Sequence, residues 1–258
     1  MILSDRHMHT SFCDGAREPE EYVESAIDKG LTQIGFSVHS YVPFDLECCI
    51  AYERIDEYKA RIGELKRKYA DKIQILCGVE QDYYSETSTE GYDYVIGSYH
   101  YFKAPNGVFF PLDLDFQTLF GICKSYFDGD FMSLCEDYYE KVADIPRKIK
   151  CDIIGHIDLI TKFNEKYPVI DIDNPRYVKA YTDSVKAIIP YGIPFEINTG
   201  AITRRYRTTP YPSDGILRSI ISLGGTLTLS SDAHHPDHIA YGFEDCERWA
   251  TELGAKLV

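Results

Sequence analysis

His7 and His9, in the stretch DRHMHTSFCDG, stand two residues apart, and in an extended chain residues at i and i+2 share one face. That spacing fits a pair of metal ligands and equally fits two histidines on a surface strand. Further along, His39, Glu80, His100, His156, Glu196, Asp232 and His234 each stand at or near the end of a short apolar run. A lone histidine in such a place is ordinarily a hydrogen-bonded structural residue. Six of the chain's eight histidines share the position, however, and independent structural roles would not produce that register. Imidazoles and carboxylates gathered without an ion would carry repulsion and desolvation costs, so the set predicts a polynuclear metal site. Imidazole with carboxylate, and no convincing cysteine, suits zinc, iron or manganese. The donors outnumber what one tetrahedral ion uses, which predicts two or three ions, with Glu80 able to bridge two of them. Paired ions serve best in the hydrolysis of a phosphate ester.

These residues need elements that bring them to one place. Strand-like runs cover 2–9, 33–39, 73–80, 92–100, 151–158, 193–199 and 226–234, each short, apolar or β-branched, and bounded by turn residues. Helical patterns lie between them: REPEEYVESAIDKG with Pro19 in its first turn, 47–71, 116–149, about 174–190, about 213–223 and about 243–253. Strands alternating with helices predict a mainly parallel sheet, and seven such units predict an α/β barrel, TIM-barrel-like, as a single domain over 1–258, with an open doubly wound sheet as the alternative. In α/β barrels the C-terminal strand ends converge on the rim where active sites sit. Residues 103–150 are a candidate lid or insertion.

Composition excludes several classes. No run approaches the roughly 20 apolar residues that span a bilayer, so no membrane association is expected. The start MILSD reaches a charge by its fifth residue, which predicts no secretory signal and a cytoplasmic protein. A formal charge of −14 disfavours nucleic acid, whose phosphates require a basic face. The eight cysteines form no CxxC pair and are expected to be reduced; the adjacent Cys48 and Cys49 could be redox-active.

The ordered set DRHMHT, GFSVHS, GVEQDY, SYH, GHIDL, EINTG and SSDAHHP resembles the polymerase and histidinol phosphatase (PHP) superfamily. Within it, HTSFCDG, GHIDLITKF and EINTGAITRRY resemble the histidinol-phosphate phosphatase branch. The resemblance implies a distorted barrel of seven βα units, a trinuclear centre, and hydrolysis of L-histidinol phosphate to L-histidinol and phosphate in histidine biosynthesis. It implies that His7, His9, Glu80 and Asp232 bind one metal, His39 and His234 a second, and His100 and His156 a third with Glu80 as the bridge. Family members often carry a histidine shortly after the first pair, where this chain offers Asp14 as a ligand instead.

A metal-bridging hydroxide attacking phosphorus is the expected chemistry, with Glu80, Asp232 and His234 serving it. Arg204, Arg205 and Arg207, of which one is expected to act, and Lys162 are candidates for the phosphate, since arginine's planar fork suits that group. Glu196 and nearby tyrosines are candidates for the substrate's ammonium and imidazole. Asp5 is a candidate for orienting a ligand histidine from behind. His235 and His238 are read as loop residues. Competing functions are a PHP-type phosphoesterase acting on another small phosphomonoester or a nucleotide, an amidohydrolase, and a metal-binding scaffold without activity.

Overall fold

A computed structural model of the protein describes residues 3–258; Ile2, the start of the first expected strand, lies outside the described residues. The strands are β1 (Ser4–Asp5), β2 (Gln33–His39), β3 (Gln74–Asp82), β4 (Tyr94–Ser98), β5 (Tyr101–Lys103), β6 (Phe109–Pro111), β7 (Ile153–Ile154), β8 (Phe195–Asn198), β9 (Thr226–Ser230) and β10 (Lys256–Leu257). Eight of them form one parallel sheet in the order β1-β2-β3-β4-β7-β8-β9-β10, while β5 and β6 make a separate antiparallel hairpin. The sheet curls in the TIM-barrel manner. Its two edges meet at the rim, where Met8 bridges Ala233: the His9 N–H donates to the Ala233 carbonyl at 2.9 Å, and the Ala233 N–H to that of His7 at 3.1 Å.

The expected seven strands are thus eight. The extra strand, β10, pairs with the first two residues of β9 and leaves the far end of that strand to the Met8 segment. Two residues, one of them lysine, carry too little periodicity to announce a strand.

The helices are α1 (Pro19–Asp28), α2 (Ile55–Lys68), α3 (Phe116–Tyr126), α4 (Phe131–Ile149), α5 (Pro175–Ile188), α6 (Gly200–Thr203), α7 (Asp214–Ser222) and α8 (Phe243–Glu252). In α1, Pro19 opens the helix, Glu20 and Glu21 complement its positive end, and Tyr22, Val23 and Ala26 are buried against the sheet. Two helical expectations are corrected. The 47–71 pattern becomes helical only from Tyr52, because residues 47–50 fold into a turn in which the Cys49 thiol lies 2.8 Å from the Asp45 carbonyl oxygen. The 116–149 pattern is two helices, broken where Asp128 and Gly129 take φ of 52° and 80° and the Asp130 carboxylate caps α4 through the Met132 N–H. Of the candidate lid, α4 buries a long apolar face in the main core, while the β5–β6 hairpin and the residues just after it border the rim.

The barrel interior beneath the rim is filled by Tyr94, whose hydroxyl lies 2.5 Å from the carbonyl oxygen of Arg6 and 3.0 Å from that of Phe36. Its ring crosses Gly35 and Gly78, where a Cβ would come within 2.4 and 2.3 Å of it. Those two glycines let one aromatic ring fasten four strands together under the site. Among the described residues no helix is long and apolar enough to cross a membrane.

Candidate metal centre

His7 and His9 follow β1 on a segment clamped from both sides. Ser37 bonds the backbone of Met8 on one side and Ala233 that of His7 and His9 on the other, so Met8 packs into the core while both histidines face the lumen. His39 is the last residue of β2 and lies in register with Glu80 on β3. His100 follows β4 and His156 follows β7. Asp232 and His234 follow β9; Asp232 holds φ of 48°, an uncommon conformation for a non-glycine residue and one often found at functional sites. Gly200 makes room for it, since a Cβ there would lie 2.8 Å from an Asp232 carboxylate oxygen.

Glu80 is the hub. Its Oε1 lies 2.9 Å from His156 Nε2 and 3.3 Å from His100 Nε2. Its Oε2 lies 2.9 Å from His39 Nδ1, 3.3 Å from His7 Nε2 and 3.5 Å from His9 Nε2. Asp232 Oδ1 completes one group at 3.2 Å from His9 Nε2 and 3.8 Å from His7 Nε2. A second group joins His9, His39 and His234 to Asp14, whose Oδ2 is 3.2 Å from His234 Nε2. A third combines His39, Glu80 and His100.

These positions fit metal ions by an observation internal to the site: His7 Nε2, His9 Nε2 and Glu80 Oε2 are buried within a few ångströms of one another and, although His39 Nδ1 comes within 2.9 Å of Glu80 Oε2, none has a partner aligned for a hydrogen bond. Buried polar atoms are rarely left so. Atoms converging on one point without bonding each other are what a shared cation requires.

The electrostatics agree. Burial opposes ionisation of Glu80, yet His7, His100 and His39 hold its carboxyl well below the usual range. Asp232 is likewise depressed against burial, by Arg204 and His7, and Asp14 by His39 and His234. Burial disfavours charged His7, but Glu196, Glu80 and Asp232 outweigh it and raise its pKa well above the ordinary value. His100 is raised similarly, against burial, by Glu80 and Asp82. His9 is lowered by burial and by the neighbouring His39 and His234. Without metal, the centre draws protons onto some of its histidines; bound cations would replace that charge.

Asp14, His39, His100, His156, Asp232 and His234 line a cavity of about 180 Å³, while His7, His9 and Glu80 are buried. Arg204 and Lys162 stand on its wall. Arg204 donates to Asp232 Oδ2 at 2.9 Å, and its other terminal nitrogen lies 3.3 Å from the ring of His234. Lys162 is anchored on Asp113, 2.9 Å from its carboxylate. A larger cavity of about 920 Å³ opens beside α8, but no histidine lines it.

Other expected residues lie elsewhere. Arg205 is exposed, with φ of 61°, and is not part of the cavity lining. Arg207 is buried, donating to Thr161 Oγ1 at 2.8 Å and pairing with Asp158 at 3.5 Å, which turns its fork away from the metal cavity. Glu196 is fully buried, 2.7 Å from His7 Nδ1, and is not part of the cavity lining. Asp5 grips backbone, accepting from the N–H groups of Ala240 at 2.9 Å, Ser231 at 3.1 Å and His7 at 3.4 Å; it touches no imidazole ring. His235 accepts from the Asp237 N–H outside the cavity.

Four further residues join the site. Asp82 accepts from the His100 backbone at 3.0 Å and lies 3.3 Å from its Nδ1. Asn198 reaches both Glu196 and Asp232. Asp45 and Asp113 line the cavity. The i+2 rule flags the first two, which follow Glu80 and Glu196 on the same strand faces; nothing local marks the loop aspartates.

A curled parallel barrel with converging histidines and carboxylates on its C-terminal rim defines a polynuclear metallohydrolase centre. The chain belongs to the PHP domain family, whose model matches residues 5–200. A Deinococcus radiodurans protein named "Probable histidinol-phosphatase" is 29% identical, the match covering 99% of this chain and 95% of that protein. The histidinol-phosphatase of Bacillus subtilis is 26% identical, covering 95% and 98%. The crystal structure of histidinol phosphate phosphatase from Lactococcus lactis, complexed with zinc, L-histidinol and phosphate, superposes with a TM-score of 0.76 at 19% identity, covering 100% of this chain and 95% of that one.

Proposed function

We propose that the protein is a metal-dependent phosphomonoesterase that hydrolyses L-histidinol phosphate to L-histidinol and phosphate, a cytoplasmic step in histidine biosynthesis. The observation that carries this reading is the cavity itself: Asp14, His39, His100, His156, Asp232 and His234 line it together with Arg204 and Lys162, and the buried, orphaned atoms of His7, His9 and Glu80 lie behind them. The names of the full-length relatives supply the substrate.

His7, His9, Asp14, His39, Glu80, His100, His156, Asp232 and His234 would hold two or three divalent ions. When bound, such ions polarise phosphoryl oxygens and make a water-derived nucleophile available near neutral pH. Glu80, Asp232 and His234 set the geometry of that chemistry through the atoms they hold in place. Arg204, braced by Asp232, donates from its remaining N–H groups to the phosphoryl oxygens. Lys162, held against Asp113, offsets negative charge as the ester bond breaks. Asp45 and Asp113, which line the same cavity, would face the cationic end of the alcohol product. Tyr101 steadies Asp45 through a hydroxyl donated to its Oδ2 at 2.9 Å.

Phosphate release from a panel of phosphomonoesters, with nucleotides and an amide included, tests the reading. L-Histidinol phosphate should show the highest kcat/KM. Markedly faster turnover of any other member overturns the substrate assignment.

A further inference from the structure

Glu196 stands inside the barrel on β8 and is fully screened from solvent. Three groups converge on its carboxylate. Oε1 lies 2.7 Å from His7 Nδ1, while Oε2 accepts from the His156 backbone N–H and from Asn198 Nδ2, each at 3.2 Å. Asn198 Nδ2 also lies 3.3 Å from Asp232 Oδ2. One buried carboxylate therefore connects donors carried by the ends of β1, β7 and β9.

We propose that Glu196 is a positioning residue that fixes the tautomer and ring rotation of His7 for metal binding. An imidazole can present only one nitrogen lone pair while its other nitrogen carries a proton. Glu196 is an acceptor, so the proton sits on Nδ1. In the metal-loaded protein the lone pair of Nε2 is then free to bind an ion on the side of Glu80 Oε2 at 3.3 Å and Asp232 Oδ1 at 3.8 Å, where Nε2 has no hydrogen-bond partner. A carboxylate behind a ligand histidine also raises its basicity.

Glutamine has the same size but cannot replace it. Its amide has one accepting and one donating end, whereas all three neighbours donate. If the NH2 turns to the His156 N–H and Asn198, two donors face a donor. If it turns to His7, the ring proton moves to Nε2 and blocks the lone pair.

The inference rests on the metal-dependent reading of the site and not on the choice of substrate, so its main test uses none. Wild type and Glu196→Gln are loaded with zinc, their metal content is measured, and their affinity is read by competition with a chelator. The variant should keep the wild-type circular dichroism spectrum and hold one of its ions about 10- to 100-fold more weakly. With metal in excess, its KM for L-histidinol phosphate should be unchanged while kcat recovers. Equal affinity in both proteins overturns the assignment, and a raised KM with unchanged affinity puts Glu196 on the substrate. A wild type that takes up no ion overturns the metal reading and this assignment together. Should the variant fail to fold, nitrogen-15 spectra of zinc-loaded wild type decide: His7 must be protonated on Nδ1, and a proton on Nε2 overturns the proposal.

Discussion

His39 and Glu80 stand directly opposite each other on the adjacent parallel strands β2 and β3, with His39 Nδ1 2.9 Å from Glu80 Oε2. A slip of one residue in either strand would send one of these side chains to the other face of the sheet. The register that pairs them is the same one that lets the Tyr94 ring cross Gly35 and Gly78 below. Packing under the rim and donor geometry on it are therefore set together.

Glu80→Gln tests the hub. The substitution keeps the shape but removes the charge that five histidines surround. Metal content should fall, and kcat/KM should drop by roughly a thousandfold, equivalent to about 4 kcal/mol of barrier. Elemental analysis and steady-state kinetics on the same preparation check both.

Arg204 and Arg207 should separate cleanly. Arg204→Lys cannot donate as a fork to phosphoryl oxygens and should lose about 10- to 100-fold in kcat/KM, in line with about 1.5–3 kcal/mol for a charge-assisted bond. Its melting temperature should barely move. Arg207→Ala leaves Asp158 buried without its partner and should cost about 3–5 kcal/mol of stability. Parallel thermal denaturation and kinetics distinguish the two arginines.

Asp14→Asn should weaken one ion selectively. The Asp14 group includes His39 and His234, whose side chains are 20% and 16% exposed, and shares only His9 with the group of His7, His9 and Asp232, which is almost wholly buried. The ion held there should leave first on titration with a chelator, and in the variant at still lower chelator concentration. Retention of every ion with wild-type affinity would show that Asp14 is not a ligand.

Asp113 gives the chain a pH dependence in acid. Burial opposes its ionisation, but Lys162 and His100 bring its pKa from the ordinary 3.8 down to about 2. A depressed carboxyl contributes stability above its unfolded pKa and loses it as pH falls through the folded one. The contribution, at most about 2 kcal/mol, should be present above about pH 4 and vanish between there and about pH 2. Asp113→Asn should therefore be less stable than wild type at pH 6 and equally stable near pH 2, as read by urea unfolding at the two values.

The amino-acid sequence by itself determined the donor inventory and the architecture that gathers it. Short apolar runs ending in His, Asp or Glu, alternating with amphipathic helices, point to a mainly parallel sheet, closed into a barrel or left open, with the donors at the carboxyl ends of its strands. It left undecided everything that depends on which way a side chain turns once the sheet curls. Arg204, Arg205 and Arg207 are near neighbours in one loop, yet only the folded chain sends the first to the cavity wall, the second to solvent and the third onto Asp158. Glu196, as an acidic residue at the end of an apolar run, is a candidate partner for the substrate's ammonium; in the barrel its side chain is buried against His7 and does not line the cavity. Asp5 proved to hold backbone from three segments far apart in sequence. Strand period fixes a face, but depth along the lumen and the partners met there arise from long-range packing, and no local pattern records them.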